Sequence, residues 1–338
     1  MSLRNVRYGR EIVEEIGAAV PQPFAVVTME EPWAVVGPRL GRDPDHIANI
    51  ESMGEQAVAE LEKSIPSVAA ILGVGGGAAM DMAKYIHWKR SIPLYLIPTI
   101  ASVDAAVTAS VAVREAGKVR YIGEAEPVVV AVDFPVIQSA PAHLNRAGVG
   151  DILSIHTALW DWKLSHARGN DPYSEDIEVA SGEMLQRMTR RPEDLRDVTE
   201  EGIELLFDLY NGVNELCEEW GNSRPEEGSE HFFAYNVEYL TGQHFVHGEL
   251  VCLGVYVLSY LQGNEPGWVH QFINKVDVRY RLNELGISRA SFRETLLTLR
   301  DYVEKEDLFY SVINETEADE ELVDGLVHDL DIGWAEAA

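Results

Sequence analysis

Residues Val68 to Val74 form a short apolar run that stops at Gly75-Gly76-Gly77, and a helix-forming stretch with Met80, Ala83, Lys84 and Ile86 then runs to Arg90. A strand that is apolar on both faces has to be covered on both sides, which is the position of a strand in a parallel sheet with helices packed on each face. The same alternation surrounds it. Phe24 to Thr28, Leu94 to Ile97 and Val128 to Val132 read as further strands, and Asp43 to Ile65 reads as a helix carrying Ile47, Ile50, Met53, Val58 and Leu61 at helical spacing.

From about Pro141 the strand signal gives way to helices. The expected helices are Ala142 to His166, Ser174 to Arg191, Asp194 to Trp220, Ser229 to Leu240, His247 to Leu261, Trp268 to Leu285 and Arg289 to Val303. The fold class expected is α/β, with a parallel-sheet lobe over residues 1–140 and an all-helical lobe over residues 141–338. No repeat or long Gly/Ser linker separates the two. At 338 residues and 46% hydrophobic, the chain has enough material for both cores.

The formal charge of -29 argues against a nucleic acid partner, because affinity for phosphate backbones comes from clustered Lys and Arg. Only seven of the 27 basic residues are lysine, and the acids are spread along the chain. That composition suits a salt-rich cytoplasm, and equally keeps any protein soluble. The longest apolar run, about Leu250 to Leu261, is too short to cross a bilayer, so no membrane association and a cytoplasmic location are expected. Cys217 and Cys252 lie far apart and read as buried thiols rather than as a disulfide or a zinc site.

Three glycines between a buried strand and a helix let the backbone approach an anion at the helix N-terminus. The pattern is neither GxGxxG nor a nucleotide-triphosphate loop, and a tight strand-to-helix turn explains it equally well. Asp81 in the first turns of that helix is either a ligand-orienting group or a solvated acid. The segment Pro98-Thr99-Ile100-Ala101-Ser102-Val103-Asp104 follows the next strand and so leaves the sheet at the same carboxyl edge, where open α/β folds bind ligands. Its hydroxyls suit a cofactor, and Asp104 suits a helix cap.

Asp151 ends the small-residue turn Arg146-Ala147-Gly148-Val149-Gly150-Asp151. His231 follows the loop Ser223-Arg224-Pro225-Glu226-Glu227-Gly228, with Ser229 as the expected helix N-cap, and His247 heads the apolar helix that ends near Leu261. Two histidines at helix starts and one carboxylate make a His₂Asp set, which leaves a coordination position open for a substrate oxygen. Each of the three is also, by itself, an ordinary polar residue at a helix start.

Taken in order, Gly73-Val74-Gly75-Gly76-Gly77 with Asp81 and Lys84, Pro98-Thr99 to Asp104, Ala147-Gly148-Val149-Gly150-Asp151, Gly228-Ser229-Glu230-His231 and His247-Gly248-Glu249 resemble the iron-containing alcohol dehydrogenase and dehydroquinate synthase superfamily. Ser223-Arg224-Pro225 and Asp161-Trp162-Lys163-Leu164 are similar to its sn-glycerol-1-phosphate dehydrogenase branch, beside the glycerol dehydrogenases. The match spans roughly residues 70 to 260.

The resemblance implies a Rossmann-like nucleotide-binding first lobe, a metal- and substrate-binding helical second lobe, and a reaction in the cleft between them. It places Gly75, Gly76, Gly77 and Asp81 at the pyrophosphate region of NAD or NADP, with Thr99, Ser102 and Thr108 as further cofactor contacts. It makes Asp151, His231 and His247 the ligands of a divalent metal, zinc first and iron or nickel as alternatives. Asp104, facing the substrate, and Asp151 are the catalytic candidates. The implied reaction is hydride transfer between the nicotinamide and a small polyol or polyol phosphate, in a chain expected by analogy to form a homo-oligomer. A dehydroquinate-synthase-like cyclase is the second reading, and it lacks the Lys-rich loop expected after Asp104. A non-catalytic ligand-binding descendant is the third.

Two departures stand out. Tyr235 occupies the place of a second, substrate-contacting histidine, which puts phosphate recognition in question. The stretch from Thr28 to Asp43 is short for the adenosine-binding strand and helix, with Met29-Glu30 where a ribose-binding Asp is expected, so NAD and NADP stand level.

Overall fold

The computed structural model describes residues 5–115, 118–316 and 318–332. The chain divides into two compact units, Met1–Asn145 with Asp197–Asn211, and Arg146–Arg196 with Gly212–Ala338. The sequence reading places a single boundary near residue 140 and does not anticipate the return of Asp197–Asn211 to the first unit.

The first unit is built on a parallel sheet of β1 (Val6–Gly9), β2 (Phe24–Thr28), β3 (His46–Asn49), β4 (Ala70–Gly75), β5 (Leu94–Pro98) and β8 (Val129–Asp133), in the order β1-β8-β5-β4-β2-β3. The strands β6 (Ser110–Glu115) and β7 (Lys118–Glu124) form a separate antiparallel hairpin. Strands β2, β4, β5 and β8 are buried at every position, as their apolar character on both faces demands. Ile12, Val13 and Ile16 of the helix Ile12–Ala19 cover one face, packed with Val26, Leu72, Val74 and Tyr95.

Register decides where ligands meet this sheet. Gly75 pairs with Pro98, so the glycine turn and the Pro98–Asp104 loop leave β4 and β5 side by side. The strand order reverses between β2 and β4, the type of position where doubly wound sheets bind nucleotides. The Thr28 hydroxyl, at the end of β2, donates to the Val74 carbonyl at 2.8 Å across that point.

The expected helix from Asp43 to Ile65 is corrected: it starts only at Glu55, and residues His46–Asn49 are the edge strand β3, paired with β2 from Ala25↔His46 to Thr28↔Asn49. Pairing with the open edge of β2 outweighs the helical spacing of Ile47, Ile50 and Met53. Three expected helices are broken. Ala142 to His166 is three pieces, 142–146, 149–153 and 155–167, interrupted at Ala147-Gly148 and at Ser154. Asp194 to Trp220 breaks around Val198, and Trp268 to Leu285 breaks at Asp277, both residues taking positive φ. Cys252 is buried, whereas Cys217 is half-buried on the wetter side of its helix, with its thiol 3.9 Å from the Glu226 carboxylate.

In the second unit the helix His247–Gln262 is apolar around nearly its whole circumference and is buried accordingly. The helices Ser229–Thr241 and Val149–Leu153 pack against it through glycines. A side-chain carbon at Gly254 would stand 2.5 Å from the Glu230 carbonyl oxygen, and one at Gly150 would stand 2.4 Å from that of Gly248. These backbone-to-backbone approaches bring three chain segments to one point. Among the described residues no helix is long and apolar enough to cross a membrane.

Candidate active site

That point is the His₂Asp set. Asp151 lies in the short helix Val149–Leu153, His231 in the first turn of Ser229–Thr241, and His247 at the first position of His247–Gln262. One ligand atom from each lies within 4.8 Å of the other two. His247 Nε2 is 3.4 Å from Asp151 Oδ1, and the two imidazole rings are 5.3 Å apart. Asp151 and His231 are buried, while the His247 side chain stays 37% exposed, so the set opens to solvent on the His247 side.

His231 is held in place by the carboxylate of Glu230. Its Nδ1 lies 2.8 Å from Glu230 Oε1, the same oxygen that accepts the Gly228 N–H at 2.7 Å. Glu230 Oε2 accepts from the Thr157 hydroxyl at 2.7 Å. With Nδ1 donating to a carboxylate, Nε2 carries the lone pair, the arrangement typical of a metal-binding histidine. Burial pushes the His231 imidazole down, but the Glu230 hydrogen bond and the charges of Glu227, Glu230 and Asp151 overcome this and hold it up at about 9. A site that concentrates this much negative charge around a buried imidazole suits a cation. Two imidazoles and a carboxylate with a position left over are a donor set that fits a divalent ion such as zinc.

The start of the His231 helix is fixed from a distance. The sequence reading makes Ser229 the N-cap, but Gly228 holds that position, and the acceptor comes from Asp161. Asp161 Oδ2 takes the Ser229 N–H at 2.9 Å, and Oδ1 takes the Val312 N–H at 2.8 Å. Burial pushes the Asp161 carboxyl up to about 6 against the pull of these donors. Glycine is required at 228, where a side-chain carbon would come within 2.9 Å of Asp161 Oδ2.

In the first unit, the glycine turn and the loop after β5 face each other. Gly75 has φ +147, which residues with a Cβ rarely adopt. Gly76 caps the helix Gly77–Arg90, and a Cβ there would meet Ile100 at 2.7 Å. Gly77 is half-exposed at the head of that helix, where main-chain amides and the helix dipole favour a phosphate. The opposing loop is pinned at Ala101, whose N–H donates to Asn145 Oδ1 and whose carbonyl accepts from the Tyr210 hydroxyl, both at 2.9 Å. Thr99 and Ser102 are buried in the loop, and Asp104 opens a 3-10 turn whose carbonyl takes the Val107 and Thr108 N–H groups. The Thr108 hydroxyl accepts from the Ser110 N–H at 3.4 Å.

Asp81 faces inward rather than into this loop. It pairs with the fully buried Lys84 at 2.8 Å and accepts the Ala112 N–H at 3.3 Å, while Lys84 also donates to the Ser110 carbonyl at 2.6 Å. Burial raises the Asp81 carboxyl, and Lys84 pulls it back. The sequence reading gives no role to Lys84, Asn145, Tyr210, Thr157, Glu230 or Asp161. Lys84, Glu230 and Asp161 stand inside the motifs quoted for the resemblance, and that is the only signal the sequence offers for them.

Comparison with known proteins gives the family and the fold. The iron-containing alcohol dehydrogenase family matches residues 38–141. The glycerol-1-phosphate dehydrogenase [NAD(P)+] of Pyrobaculum arsenaticum is 33% identical over 245 residues, covering 71% of this chain and 72% of that protein. That of Thermococcus kodakarensis is 30% identical over 242 residues, covering 70% and 69%. Among solved structures, a probable glycerol dehydrogenase from Sinorhizobium meliloti superimposes with a TM-score of 0.73 at 18% identity, over 97% of this chain and 96% of that one. The glycerol dehydrogenase of Schizosaccharomyces pombe does so with 0.70 at 20% identity, over 100% and 92%. Fold and relatives together define a metal-dependent oxidoreductase of the α/β class. The chain belongs to the iron-containing alcohol dehydrogenase family, on the side of it that includes the glycerol-1-phosphate dehydrogenases. It is an NAD(P)-dependent dehydrogenase.

Proposed function

We propose that Asp151, His231 and His247 hold one divalent metal, zinc in the first place, and that the chain interconverts a secondary alcohol on a small polyol or its phosphate with the ketone. The observation that carries this is the convergence of the three ligand atoms within 4.8 Å, with Nδ1 of His231 already committed to Glu230. The ion would lower the pKa of a substrate hydroxyl and stabilise negative charge on its oxygen. Asp151 and the two histidines fix the place where that hydroxyl docks, and Glu230 sets the tautomer of His231. Asp104 is the proposed substrate contact.

The same reading gives Gly75, Gly76 and Gly77 the cofactor diphosphate and Thr99, Ser102 and Thr108 its neighbouring contacts. The backbone supports it, since Gly77, at the half-exposed head of the Gly77–Arg90 helix, has no side chain of its own. Asp81 serves that region through Lys84, by tying the helix to the Ser110 carbonyl and the Ala112 N–H. A cytoplasmic enzyme assembling as a homo-oligomer completes the proposal.

The test is absorbance at the reduced-nicotinamide band while the zinc-loaded chain meets dihydroxyacetone, dihydroxyacetone phosphate or glycerol with each cofactor. Turnover that disappears in His247→Ala supports the reading. Absence of turnover with every substrate and both cofactors would refute it.

A further inference from the structure

The wall of the metal site beyond His231 is acidic and built on one hydrogen bond. Tyr235 follows His231 by one helical turn, so the two side chains leave the helix on the same face, their rings 6.1 Å apart. The Tyr235 hydroxyl donates to Glu227 Oε1 at 2.7 Å. Tyr235 and Glu227 are half-exposed, as His247 is, whereas Asp151 and His231 are buried. Tyr235, with its ring beside His231, and Glu227, bonded to it, therefore form a partly exposed, acidic edge next to the ligand set. Glu227 is close enough for its charge to act on the His231 imidazole.

The loop that carries Glu227 offers no cation to offset it. Arg224, its basic residue, is 1% exposed, and its guanidinium is turned onto Asp171 and the Tyr310 carbonyl, with the Phe309 ring beneath. The neighbouring Glu226 adds a second acid. A carboxylate held in this position accepts hydrogen bonds from the hydroxyls of a neutral polyol and repels a phosphate dianion.

We propose that the Tyr235–Glu227 pair is a specificity determinant that selects an uncharged polyol, or its ketone, over the phosphorylated form. This rests on the dehydrogenase reading above and decides between the two substrate classes that reading leaves together. The tyrosine orients the carboxylate, and the carboxylate discriminates.

The experiment compares kcat/KM for dihydroxyacetone and for dihydroxyacetone phosphate in the zinc-loaded full chain, its Glu227→Gln variant and its Tyr235→Phe variant. The wild type should favour dihydroxyacetone by about tenfold or more at low ionic strength, and added salt should reduce that preference by screening the repulsion. Glu227→Gln should lower the preference by about tenfold, as expected for loss of one like charge near the phosphate. Tyr235→Phe, which releases the carboxylate from its anchor, should shift it the same way by a smaller factor. A wild-type preference for the phosphate, or one that Glu227→Gln leaves unchanged, overturns the inference while the dehydrogenase reading stands. No turnover with either substrate and either cofactor overturns both.

Discussion

The backbone of Gly150 lies directly against that of Gly248, so that a side-chain carbon at 150 would stand 2.4 Å from the Gly248 carbonyl oxygen and 2.7 Å from its Cα. Each glycine neighbours a metal-ligand candidate, and their contact is what sets Asp151 Oδ1 3.4 Å from His247 Nε2. In Gly150→Ala the obstacle is backbone, which cannot swing aside. The two helices have to separate, at a cost of about 1–3 kcal/mol for overpacking. Thermal unfolding should show that loss, and a zinc titration should show binding weakened by more than the stability loss alone explains. Wild-type zinc affinity in this variant would mean that the approach of the two helices does not build the site.

Protons should compete with the proposed metal at His231. In the metal-free protein burial lowers its imidazole, yet Glu230, Glu227 and Asp151 raise it to about 9, above the ordinary value of 6.5. The stabilisation from its protonated form is thus fully present below pH 6.5 and is lost as the pH climbs through about 9. Metal has to displace that proton, so apparent zinc affinity should rise with pH up to about 9, by up to about tenfold per unit. Calorimetric titration between pH 6.5 and 9 checks this. A flat profile would exclude His231 as a ligand.

The buried ion pair of Asp81 and Lys84 makes a different kind of claim, about the cofactor side. Lys84 is fully buried, while the Asp81 side chain keeps 15% exposure. Lys84→Met leaves Asp81 without its counter-charge and the Ser110 carbonyl without its donor. Breaking a buried pair from one side costs about 3–5 kcal/mol, and the residual exposure of Asp81 puts the expected loss near the lower figure. Denaturant unfolding measures it. Fluorescence titration with NADH should show weaker binding, because the pair ties the second and third turns of the Gly77–Arg90 helix to the hairpin strand β6.

These residues also show how far the sequence could be read. Strands β2, β4, β5 and β8 were legible because both of their faces are buried, and a short run that is apolar at every position fits little besides a strand covered on both sides. The edge strand β3 buries only Ala48, and its exposed Ile47 falls at a spacing that imitates a helix. The β6–β7 hairpin was missed because β7 has no buried position, and the alternation of β6, which buries only Val111 and Val113, is too short to stand out. Asp151, His231 and His247 drew attention because they stand at helix starts with small residues nearby. The roles of Glu230 and Asp161 were hidden, because each is defined by partners that only the fold brings near: Thr157 for Glu230, and Ser229 and Val312 for Asp161. Tyr235 was visible as a departure from a pattern, but its partner Glu227 was not.

Glu230 is where the metal site should prove most sensitive without losing a ligand. Its Oε1 holds both the Gly228 N–H and His231 Nδ1, and its Oε2 holds the Thr157 hydroxyl. In Glu230→Gln the amide oxygen retains the first two bonds, and the amide N–H₂ faces Thr157, whose hydroxyl can turn to accept, so the fold should survive. The negative charge behind the imidazole is lost, and the ring becomes a poorer donor to a cation. Zinc affinity should fall about 10- to 100-fold, the usual effect of removing such a partner. The His231 imidazole of the metal-free variant should also titrate well below 9, since the Glu230 hydrogen bond is the main influence raising it. Histidine titration by NMR reads that shift without any need for turnover. If zinc affinity falls while His231 still titrates near 9, the metal is lost for a reason other than the basicity of this ring.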